Sequence, residues 1–144
     1  MSHETAETSV AKTATSFLRS IGAMFAGFAA IVVLSIGTDL ALEKTVFPSL
    51  ASAHAPDALL ALALIYRTAY GAFGSWIAAK VAPGRPMVHA LALGLIGWLL
   101  ATIGVIAQWK LGAHWYPMAL ALLTLPAAWV GGWLAKMKHS PAAT

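Results

Sequence analysis

The chain has 144 residues, of which 60% are hydrophobic and 10% charged, with a formal net charge of +4 and no cysteine. A soluble domain carries about 25% charged residues, so this chain lacks the polar surface to face water on all sides, and lipid must supply the missing solvent. The absent cysteines exclude disulfide staples, thiol redox chemistry and thiolate metal sites.

Residues 1–18 are polar and rich in small side chains (MSHETAETSVAKTATS and two more), and read as a flexible cytoplasmic tail. The first apolar run, about 21–42, has the roughly 20 residues that a helix needs to cross the hydrocarbon. Its length, and its distance from the small-residue stretch ASAHA at 51–55, argue against a cleaved signal peptide. Helices bathed in lipid associate through small residues that allow close approach. At helical spacing Gly22, Ala26, Ala30 and Gly37 form such a face, with Ser35, Thr38 and Asp39 elsewhere.

The second run, about 58–79, places Gly71, Gly74 or Ser75, Ala78 and Ala82 on one face, and Arg67 lies on that face too. Arg67 is nine residues into the helix, about 13 Å below the boundary at roughly 1.5 Å per residue. A lone arginine at such depth costs at least a few kcal/mol, so it should face protein or water. Asp39, near the outer end of the first run, is its predicted partner, with Tyr70, Gln108 and a carbonyl freed by Pro126 as secondary contacts.

Pro83, Gly84 and Pro86 make the next connection a tight turn, so the second and third helices are antiparallel neighbours. The third run, about 87–109, carries Ala90, Gly94, Gly97, Ala101, Gly104 and Gln108 on one side. The fourth, about 116–135, carries Thr124, Ala128, Gly131 and Ala135, and its internal Pro126 predicts a kink. Residues 139–144 end the chain as a short tail after the four-span domain of 19–138.

Lys12, Arg19, Lys80, Arg85, Lys136 and Lys138 fall on one side of these spans, and only Lys44 and Lys110 on the other. The positive-inside rule then puts both termini in the cytoplasm. Phe17, Phe47, Trp109, Trp115, Tyr116 and Trp133 sit near the borders as an interfacial belt. The expected fold is an all-α integral membrane four-helix bundle in the inner (plasma) membrane. AGFAAIVVLSIG (26–37) aligns with LGLIGWLLATIG (93–104), VFP (46–48) with WYP (115–117), and FGSWIAAK (73–80) with VGGWLAKM (130–137). This suggests a parallel two-plus-two helix repeat about an axis along the membrane normal; shared composition is the competing explanation.

Catalytic signatures are missing: no Gly-x-Ser-x-Gly, no His-Glu-x-x-His and no phosphate loop. His54 and His114 share the outer side but lack a third ligand, so they are a weak metal pair, and His89 is on the opposite side. No facing histidines offer themselves to haem, and no cofactor is expected. Arg67 and Asp39 can be read as an ion pair clamping the first two spans, or as a ligand site in an outward-facing cavity. The expected function is non-enzymatic: a compact bundle or small subunit of a membrane assembly, with a small transporter or channel as the alternative. Its partners are the lipid bilayer and either a second copy or another membrane protein; the scattered cations do not suit nucleic acid.

YRTAYGAFGSWIAAKVAPGRPMVHALALG and HWYPMALALLTLPAAWVGGWLA resemble a group of small four-span bacterial inner-membrane proteins with no assigned activity. The likeness covers most of residues 19–135 and implies the topology and a bacterial source. Small multidrug transporters also have four spans, but carry a membrane-embedded glutamate in the first, where this chain has Asp39 near the outer end.

Overall fold

A computed structural model describes the backbone of residues 2–45, 56–111 and 113–137, and within them every side chain except those of 2–11, 45, 108 and 111. The ASAHA stretch, Phe47, VFP, His54, Lys138, the 139–144 tail and the side chain of Gln108 lie outside the described residues. Four helices follow one another: α1 (Ser2–Thr45), α2 (Asp57–Val81), α3 (Pro86–Gln108) and α4 (Trp115–Met137), with a 3-10 turn at Trp109–Leu111. All four are long and apolar enough to cross a membrane, and no strand occurs among the described residues. The chain is a multi-pass helical bundle.

The boundaries follow local chemistry. The Pro56 carbonyl accepts the Leu59 and Leu60 N–H groups at 2.9 and 3.2 Å, and Asp57 places a negative charge at the first turn of α2. At the other end Pro83 keeps Ala82 out of helical geometry, and Ala82 is extended (φ −62°, ψ 140°). Gly84 (φ 103°) and Arg85 (φ 46°) then turn through the left-handed region, and Pro86 opens α3 with its φ already set. The expected polar tail is helix from Ser2. Ala, Glu and Lys favour helix, no Gly or Pro interrupts before Gly22, and a helix begun in the apolar span propagates cheaply. Helix α4 runs unbroken through Pro126, which lies on its exposed side.

Most buried positions are small, and most large apolar side chains face outward. Ala23, Ala78, Ala90, Ala128 and Ala135 are at most 1% exposed, whereas Phe25, Ile65, Ile106 and Leu122 each exceed 65%. Large apolar side chains facing outward suit a lipid solvent, and small ones inside let backbones approach. The crossings are correspondingly close. A Cβ on Gly27 of α1 would strike the Gly74 carbonyl of α2, and one on Gly131 of α4 the Ala72 carbonyl of α2. A Cβ on Gly132 would lie 2.8 Å from both Ala90 Cβ and Met87 Sδ of α3.

The packing faces of α2, α3 and α4 are those expected, but the face of α1 is not. A methyl group added at Gly22 or Gly37 would meet nothing within 4 Å, and Ala26 is exposed; Ala23 and Gly27 face inward instead. Both sets have small residues one turn apart, and the steric match to Gly74 selects the second.

Some positions paired by the two-helix repeat are buried in both halves, Ala23 with Ala90, Gly27 with Gly94, Gly74 with Gly131 and Ala78 with Ala135, but others differ: Ala26 is exposed where Leu93 is buried, and Ala79 is buried where Lys136 is exposed. The contacts also break the symmetry. A two-fold along the membrane normal would make the α1–α4 contact match the α2–α3 contact, yet α2 touches α3 while α1 does not touch α4. Helix α1 rests on α2 and meets α3 only lightly, near Gly27 and Leu93.

Candidate functional site

The only salt bridge among the described residues joins α1 to α2 away from the chain termini. Arg67 Nη2 lies 2.5 Å from Asp39 Oδ2, and the hydroxyl of Tyr66 donates to Asp39 Oδ1. One residue earlier on α1, Thr38 Oγ1 and the Tyr70 hydroxyl are 2.9 Å apart. Tyr66 and Tyr70 are one helical turn apart, with ring centroids at 5.8 Å, so both phenols reach the same stretch of α1. Two adjacent residues of α1 thus meet three residues within one and a half turns of α2.

Both oxygens of Asp39 are engaged by donors, one of them cationic, and such charge-assisted bonds are the stronger kind. The pair is not sealed: the side chains of Arg67 and Asp39 are 34% and 27% exposed. From the first turn of α4, Tyr116 approaches closely enough to interact electrostatically with the Arg67 guanidinium, and is itself only 8% exposed. It therefore packs inside the bundle rather than on its outer surface. Its neighbour Trp115 donates Nε1 to Asp57 Oδ1 at 2.9 Å, tying the first turns of α4 and α2 together.

Between the four helices lies a cavity of about 300 Å³. Ser35 of α1, Arg67, Thr68 and Ser75 of α2, Gly97 and Ala101 of α3, and Thr124 of α4 contribute to its wall, which is otherwise apolar. The space exists because α1 does not reach α4 and because the facing positions on α2 and α3 are small. Its few polar groups differ in their bonding. Thr124 Oγ1 donates to the Leu120 carbonyl at 2.7 Å, as a helical threonine commonly does. Thr68 Oγ1 and Arg67 Nε are buried and have no hydrogen-bond partner among the described residues.

The structure therefore brings Asp39 to Arg67, Thr38 to Tyr70, and Ser35 to the cavity wall rather than to the ion pair. Tyr66, Thr68 and Tyr116 are the site residues that sequence reasoning overlooks. A carboxylate with two oxygens calls for two donors, and a tyrosine beside Arg67 was the available signal for Tyr66. His114 serves the α3–α4 connection: its Nε2 lies 2.6 Å from the Trp109 carbonyl and its ring 4.5 Å from the Trp109 ring. Among the described residues no three His, Cys, Asp or Glu side chains gather as a metal site would need. No protein-family model, curated protein or solved structure matches the chain.

Proposed function

We propose that this chain is a non-enzymatic protein of the inner membrane, both ends cytoplasmic, that binds a small molecule in the cavity between its helices, as a small transporter does. The observation that carries this reading is the cavity itself, which reaches an arginine deep in an apolar helix. A functional ionisable residue within the membrane is expected to face such a space. The Lys and Arg asymmetry supports the orientation, and the resemblance to small four-span bacterial proteins supports the inner membrane.

In this reading α1 is the moving part. It has one broad interface, with α2, and none with α4. Its loop-side end is held over the cavity by Asp39 and Thr38, so releasing those bonds opens the bundle at the least cost in packing. Asp39 has both oxygens occupied by donors, which suits a latch better than a general base.

The test is purification from native membranes followed by mass spectrometry of retained small molecules. Wild type should keep an organic ligand that Ala101→Phe, monodisperse but with the cavity filled, does not. Equal content in both would overturn the reading. A purely structural bundle is the second reading, favoured by the full engagement of Asp39; there Ala101→Phe changes no ligand content.

A further inference from the structure

We infer that the cavity takes one straight hydrocarbon chain of a membrane lipid, entering sideways through the cleft between α1 and α3; this rests on the binding reading above and names its ligand class. Shape comes first. The wall spans 28–35 on α1, 67–75 on α2, 93–101 on α3 and 120–127 on α4, about 12 Å along the helix axes at roughly 1.5 Å per residue. A volume of about 300 Å³ over that length has a mean cross-section of about 25 Å², close to that of one alkyl chain. By volume it holds about a dozen carbons, since a cavity of roughly 150 Å³ holds benzene.

Polarity comes next. Most of the wall surface is apolar, and its polar groups are largely engaged elsewhere. Arg67 Nη2 goes to Asp39 and the Thr124 hydroxyl to the Leu120 carbonyl, while Arg67 Nε and Thr68 Oγ1 are buried out of reach of the space. That leaves chiefly the hydroxyls of Ser35 and Ser75. A buried water keeps about three hydrogen bonds, so water is a poor filler here, and so is any strongly polar ligand.

Access decides the occupant. Helix α1 meets α3 only lightly, near Gly27 and Leu93 at one end of the wall, and beyond that contact the two helices leave a cleft. Leu100 belongs to the wall and is still 49% exposed, which places it on the rim. The wall begins ten residues into α2 and ends six before its last, roughly 15 and 9 Å from the helix ends. At that level a bilayer presents lipid chains and not headgroups. An empty void forfeits the contacts of its lining, and a chain is the apolar body at hand.

Native mass spectrometry of the detergent-purified chain tests this with two phosphatidylglycerols of one headgroup: dipalmitoyl, and diphytanoyl, whose chains carry methyl branches. Wild type should bind one dipalmitoyl lipid saturably, about tenfold tighter than the branched one, the scale on which a fitted apolar pocket refuses a methyl group. Dipalmitoyl phosphatidylethanolamine should bind as tightly as the glycerol form. Ala101→Phe should lose the lipid, with Ala101→Leu in its place if the larger side chain prevents folding. Ile103→Phe, on the exposed side of the same helix, should keep it. If straight and branched lipids bind equally and both are lost on filling the cavity, the single-chain slot is wrong and the cavity reading stands. Affinity that follows the headgroup rather than the chain overturns the inference. So does lipid binding that survives Ala101→Phe while another retained small molecule is lost, which again leaves the binding reading standing. If nothing bound depends on Ala101, the inference fails together with the reading beneath it.

Discussion

Replacing Asp39 and Arg67, singly and together, measures whether the ion pair holds α1 to α2. Two unit charges about 4 Å apart attract by about 4 kcal/mol at an effective dielectric of about 20. The Arg67–Asp39 contact is close, at 2.5 Å, but both side chains remain about a third exposed or slightly less. Desolvation and residual solvent screening then offset roughly half of the attraction. A coupling of about 2 kcal/mol is expected, above the ~0.6 kcal/mol average for neutral interhelical hydrogen bonds in membranes. Arg67→Met and Asp39→Leu should each destabilise by about 2–3 kcal/mol, because each leaves a partner behind. The double variant should cost about 3 kcal/mol rather than the sum of the two. Equilibrium unfolding in mixed micelles, titrated with dodecyl sulfate and followed by tryptophan fluorescence, gives all three values. Additive effects, with a coupling below about 0.5 kcal/mol, would refute the latch and leave the Gly27–Gly74 crossing as what holds α1.

Three further outcomes are expected. Gly131→Ala should destabilise by about 3 kcal/mol or more, since the new methyl meets the Ala72 backbone rather than a side chain that can yield. Gly22→Ala, facing open space, should be neutral or stabilise by up to about 1 kcal/mol through helix propensity; the same unfolding titration reads both. Because the chain has no cysteine, single substitutions report orientation without background. A membrane-impermeant maleimide applied to intact cells should label Ala113→Cys and leave Ala82→Cys unmodified, and the reverse pattern would invert the proposed topology.

The location of the four spans was legible from the letters because the solvent dictates it. A backbone in hydrocarbon must satisfy its own hydrogen bonds, so an apolar run of about 20 residues between turn residues has one available structure. The pairing of Arg67 with Asp39 was legible for a related reason: a charge at that depth needs a partner, and Asp39 was the one acid inside a span and near the same level. The side of α1 that packs was not legible. Gly22 with Ala26 and Ala23 with Gly27 have the same spacing, and only the shape of α2 around Gly74 distinguishes them.

Tyr116 shows the same limit, since an aromatic residue at a span boundary reads as an interfacial anchor until α4 is seen to turn it toward Arg67. The cavity was foreseen only as an alternative. It arises from how four helices meet, with α1 on α2 and away from α4, and no single helix carries that information. Hydropathy acts on each segment separately and is written in the sequence; complementarity acts between surfaces and exists only once they are in contact.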